Sequence, residues 1–205
     1  MFANLIHKIA RRRWLLFGVF VFVIPVYLLW KGLSSGGATL PDNFLESKRQ
    51  SALIADQIVG MSDKAVSQLD KMRSLEKEGN YYMALDVVNQ ELRRVSDMRE
   101  KANELLAKLT EMTNTLPDVK EGRVREAALR AINYELDLIN NLLSYNNDLD
   151  AMLKLTSAKI LYNEDVASRF NSLMSKLNRD AEIINDLNQK FNDTIGSIVN
   201  GTTAK

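Results

Sequence analysis

From about residue 43 onward apolar residues recur every three or four positions, and this period predicts helix almost throughout. The first helix is expected over about 43–78, with Ile54, Ile58, Met61, Ala65, Leu69 and Met72 on one face. Pro41-Asp42-Asn43 predicts its start, with Asp42 or Asn43 capping free backbone N–H groups. Gly79 predicts its end, because glycine enters the left-handed conformation without a Cβ penalty. The second helix, over about 80–114, repeats Tyr81, Val88, Val95, Ala102 and Leu109 every seven residues, with Leu85, Leu92 and Leu106 between them. Asn114-Thr115-Leu116-Pro117-Asp118 breaks the run, and Gly122 permits a turn there.

Between Arg123 and Ile195 lie 73 residues with neither glycine nor proline. One helix of that length would extend ~110 Å, out of proportion to neighbours half as long. A turn near Thr156–Asn163, with Asn163 as the last cap, yields four helices of similar size, and Ser144–Asn147 is the alternative turn site. In the final helix Phe170, Leu177, Ile184, Phe191 and Ile198 repeat every seven residues, supported by Leu173, Ala181, Leu187 and Ile195. That repeat drives a left-handed supercoil, and short connections favour antiparallel neighbours. The expected fold is all-α: an N-terminal transmembrane helix, then an elongated antiparallel bundle of four coiled-coil-like helices ~50 Å long. A homo-oligomeric coiled coil is the rival arrangement, and tight loops at 79–80 and 114–122 suit pairing within one chain better.

The segment before this bundle has a different character. Trp14 to Trp30 runs seventeen residues without a charge, ~26 Å as helix. With the residues up to 33 it approaches the hydrocarbon thickness of a bilayer. Trp14, Tyr27 and Trp30 lie near its ends, where amphipathic aromatics favour the headgroup level, and Pro25 predicts a kink. A cleaved signal peptide competes, but its apolar region is ordinarily shorter than this one. Lys8, Arg11, Arg12 and Arg13 precede the span as a headgroup-contacting cluster, so the positive-inside bias keeps the N-terminus cytoplasmic. The expected organisation is a basic cytoplasmic stub over 1–13, an anchor over 14–33 and a flexible linker over 34–42. An extracytoplasmic bundle over 43–199 and a disordered tail over 200–205 complete it.

Charge follows the same division. Residues 1–31 hold five of the 27 Lys and Arg and no acid, so the remainder carries 22 bases against 26 acids, a net of −4. A mildly acidic bundle argues against a basic surface for nucleic acid. The expected partners are membrane lipid and envelope proteins, with homo-oligomerisation left open.

Candidate chemistry is sparse. There is no cysteine, and the one histidine, His7, lies in the stub, so the bundle has no imidazole base and no thiol nucleophile. Glu-x-x-His pairs for a di-metal bundle site are absent, and Glu91 and Glu104 are expected on the solvated face. No enzymatic activity, cofactor or metal is expected. Gly79 to Ala84 resembles the G-x-Y-x-x-A fragment of tetratricopeptide repeats over six residues only, with no second copy, and a helix cap followed by a core tyrosine explains it. Asn171, Asn178, Asn185 and Asn192 form a ladder on the last helix, a tentative partner face or a solvated flank that repeats with the heptad. Asn192-Asp193-Thr194 and Asn200-Gly201-Thr202 match the glycosylation acceptor pattern, informative only on a eukaryotic secretory route. The leading expectation is a non-enzymatic, membrane-anchored scaffold or interaction protein. The alternative is a ligand-responsive sensory bundle that signals through a partner membrane protein.

Overall fold

The computed structural model describes residues 40–162 and 165–199. Among these, all regular structure is helical: α1 (Asp42–Lys77), α2 (Tyr81–Thr115), a 3-10 turn (Leu116–Asp118), α3 (Gly122–Tyr162) and α4 (Ala167–Val199). The anchor, stub and linker as far as residue 39, the Asn163 cap and the tail lie outside the described residues. No helix among the described residues is long and apolar enough to cross a membrane.

The ends of the helices follow from local chemistry. At the C-terminus of α1, Gly79 has φ 77°. The Asn80 N–H donates to Leu75 O at 2.9 Å and the Gly79 N–H to Glu76 O at 3.1 Å. These two bonds form a Schellman cap, which the glycine alone makes cheap. At the other end, Pro41 occupies the N-cap position without a side-chain cap bond, so neither Asp42 nor Asn43 caps as expected. Asp42 instead opens the first turn, where its charge complements the helix dipole. α2 closes through the 3-10 turn at Pro117, whose buried neighbours Leu116 and Val119 tie the connection to the core. Gly122 is the first residue of α3 rather than a turn residue. The α3–α4 break falls after Tyr162, inside the first of the two expected turn regions. Ser144–Asn147 is continuous helix. Asp165 Oδ1 accepts from the Ala167 N–H at 3.2 Å and so supports the start of α4.

Each helix packs along its neighbour in sequence, α1 on α2, α2 on α3 and α3 on α4. Polar contacts give the register. Ser47 Oγ donates to Glu111 Oε2 at 3.0 Å between α1 and α2. Arg99 Nη2 donates to Asn147 Oδ1 at 2.9 Å between α2 and α3. Ser144 Oγ donates to Asp180 Oδ2 at 3.2 Å between α3 and α4. Lys159 pairs with Glu76 and links the ends of α3 and α1.

The apolar core has two halves. One, containing Met72, Val88, Met98, Met152 and Ile184, lies toward the Gly79 turn. The other, containing Phe44, Leu105, Met112, Ile139 and Ile195, lies toward the chain entry at Leu40 and the α2–α3 connection. Ile54 and Tyr134 pack on both. In α4, Leu177, Ile184, Phe191 and Ile198 are buried as the heptad predicts. In α2 two expected inward residues are exposed: Leu106 yields the interior to Leu105, and Tyr81 lies beyond the first buried residue of that helix, Ala84.

Candidate interaction site

Two kinds of feature stand apart from this packing: polar side chains inside the bundle and aromatic side chains outside its end.

Seven polar side chains are buried among the described residues: Ser47, Ser51 and Ser62 on α1, Glu91 on α2, Glu135 and Asn146 on α3, and Asp180 on α4. Glu91 is 1% exposed, which overturns its expected place on the solvated face. It occupies the inward line of Ala84, Met98, Leu105 and Met112, and Arg94, one turn on, donates to both of its carboxylate oxygens. Glu104 is half-buried and pairs with Lys101 on the same helix at 2.7 Å. Glu135 has no hydrogen-bonding partner among the described residues, and burial pushes its carboxyl up to about 7. Burial likewise lowers the Lys48 ammonium below its ordinary value.

Asn146 and Asn178 lie at the same level of the paired helices α3 and α4. Ser144 bonds Asp180, and Asp148 lies 3.8 Å from Lys176, so positions 146 and 178 share the level between these contacts. Both amide atoms of Asn146 and the Oδ1 of Asn178 are buried without a hydrogen-bond partner. A buried, unpaired amide costs about 1–3 kcal/mol. Asn146→Leu is therefore expected to raise the melting temperature by about 2–12 °C, read by circular dichroism on the detergent-solubilised chain. A fall would mean that the amide is satisfied in solution and that leucine has removed a partner.

The asparagine ladder does not present one uniform face. Asn171 is exposed, whereas Asn178, Asn185 and Asn192 are half-buried, and Asn192 Nδ2 donates to Asn188 Oδ1 at 3.1 Å. Trp14, Pro25, Tyr27, Trp30, Lys8, Arg11, Arg12 and Arg13 lie outside the described residues. Among the described residues no group of His, Cys, Asp and Glu converges to hold a metal. An open depression on α2, lined by Gln90, Arg93, Arg94, Ser96 and Asp97, belongs to one helix and encloses nothing.

The end of the bundle at the Gly79 turn presents the opposite anomaly. Tyr81, Tyr82 and Met83 begin α2, and Leu161 and Tyr162 end α3; all five are exposed. Because α2 and α3 are antiparallel neighbours, both groups lie at the same end. Tyr82 is 87% and Tyr162 73% exposed, more than any other large apolar side chain described. Periodicity could not have found this tip, since it reports which side of a helix faces inward and not where the core stops. The tip lies one helix length, ~54 Å, from the chain entry at Leu40.

Comparison with protein-family models, curated proteins and solved structures finds no match.

Proposed function

We propose that this chain is a non-enzymatic, membrane-anchored interaction module that uses its helical bundle to hold an aromatic tip away from the bilayer. Residues 14–33 cross the plasma membrane with the N-terminus cytoplasmic, and the bundle stands outside on the linker that follows. The observation that carries this reading is the position of Tyr81, Tyr82, Met83, Leu161 and Tyr162. They are exposed at the end of the bundle opposite the chain entry, where a tethered rod reaches farthest. Tyrosine suits such a site because it brings a large apolar area and a polar hydroxyl at low entropic cost, and it is enriched among residues that dominate binding.

Two measurements test it. Protease added to intact cells is expected to digest the bundle and spare the basic stub; a protected bundle would remove the anchor and its orientation. A photoreactive amino acid at position 82 or 162 of the full chain in its native membrane is expected to give a discrete protein adduct that position 57, on exposed α1, does not give. Tyr82→Ser combined with Tyr162→Ser is expected to weaken the same complex at least tenfold, as for two interface tyrosines. Equal adducts at all three positions would sink the tip as the binding site.

A further inference from the structure

Outside the core, α3 carries a second line of apolar residues. Leu129 is 45% exposed and Leu136 38%, followed at the same seven-residue interval by half-buried Leu143. Exposed Asn133 and Asn140 stand between them, so Leu-Asn-Leu-Asn-Leu runs along four turns of helix without a charge. The alternating spacing of four and three is that of a coiled-coil seam, with leucine at one core position and asparagine where the other ordinarily carries an apolar residue. α2 borders the line. Arg99 bonds Asn147, and one heptad from each of these residues brings exposed Leu106 to the level of Asn140.

We propose that this line is the contact between two copies of the chain standing side by side, parallel, in one membrane. The orientation rests on the proposed anchor, because two chains anchored alike and related by an axis along the membrane normal run in the same direction. Each residue near that axis then meets its own copy at the same height. Such an arrangement excludes charge from the contact, since any charged side chain would face itself. The five positions of the line satisfy that condition, with exposed Arg130 and Asp137 flanking it along one edge. Asparagine is suited to self-contact because its amide carries both donor and acceptor and so can bond to an identical amide. Paired at Asn133 and Asn140, the amides set the register, while Leu129, Leu136 and Leu143 supply the buried area.

The absence of cysteine makes the test direct. Asn133→Cys and Asn140→Cys, each as the single cysteine of the full chain in its native membrane, are expected to form a disulfide-linked dimer under mild oxidation. The rate should exceed that of Gln57→Cys on α1 at least tenfold. Leu136→Lys in the Asn140→Cys chain is expected to abolish the link by placing like charges together, as is Leu136→Glu. Co-expression of these two variants should restore it as a mixed dimer, which shows that each still folds.

Cross-linking of Asn140→Cys no faster than Gln57→Cys would overturn the proposal. Linkage only between Asn133→Cys and Asn140→Cys copies would replace it with an antiparallel pair. Alkaline extraction of the same membranes separates this outcome from the anchor. A chain that is released yet self-links at Asn140 retains the contact and loses the anchor. A chain that stays in the membrane and fails to link loses the contact alone.

Discussion

Glu135→Gln is expected to raise the melting temperature of the detergent-solubilised chain by about 6–12 °C at pH 8 and to leave it almost unchanged at pH 4. The expectation follows from where the carboxyl sits. Glu135 is buried on α3 without a partner among the described residues, and burial raises its pKa to about 7 from an ordinary 4.5. Between those values the folded chain binds more protons than the unfolded chain, so stability falls as pH rises from about 4.5 to about 7 and levels off above. The stability lost across that window is on the order of 3 kcal/mol. Glutamine cannot ionise, so it removes the loss without changing the shape of the side chain. Melting curves of the two proteins at half-unit steps between pH 4 and pH 8 decide the matter. Parallel curves would show that water or a partner solvates the carboxylate in the folded state. Acids paired at the surface have the opposite sign: the Arg49 guanidinium beside Glu46 holds that carboxyl down to about 2, and its contribution is lost as pH falls.

The fold was legible because so much of it is periodic. The heptad from Phe170 to Ile198 located α4 and its inward side, and Gly79 and Pro117 marked two of the three connections. The third connection was placed by length alone, because nothing between Arg123 and Ile195 breaks a helix by its backbone chemistry. The buried polar residues were missed because a search for apolar periodicity passes over them. Their positions were nevertheless marked. Glu91 falls seven residues from both Ala84 and Met98, and Glu135 from both Ala128 and Leu142. In the same way Asn146 falls seven from Ile139 and Leu153, and Asp180 seven from Leu173 and Leu187. Apolar residues a heptad away on either side place a polar residue on or beside the inward line of its helix. The tyrosine tip left no such signal, since the spacing of Tyr81 from Val88 continues the repeat past the end of the core. The leucines at 105 and 106 show the remaining ambiguity: two adjacent apolar residues fit either of two helix phases, and only the neighbouring helix selects one.

The pair on α2 leads to the second large effect. Arg94→Ala is expected to destabilise the bundle by about 3 kcal/mol, lowering the melting temperature by about 6–12 °C, because it leaves the Glu91 carboxylate buried and uncompensated. The guanidinium side chain is itself 24% exposed against 1% for the glutamate, so water can partly replace it and the loss stays near the lower end for broken buried pairs. The same asymmetry makes Glu91→Met milder, since Arg94 can turn outward and the inward line between Ala84 and Met98 accepts methionine. Glu91→Met with Arg94→Met should come within about 1 kcal/mol of the natural chain, as apolar replacements of buried ion pairs commonly do. A double-mutant cycle by urea denaturation measures all three. If Arg94→Ala costs no more than Glu91→Met, the carboxylate reaches water without its partner. The arginine would then be a surface group, and no longer what keeps a charge tolerable inside the bundle.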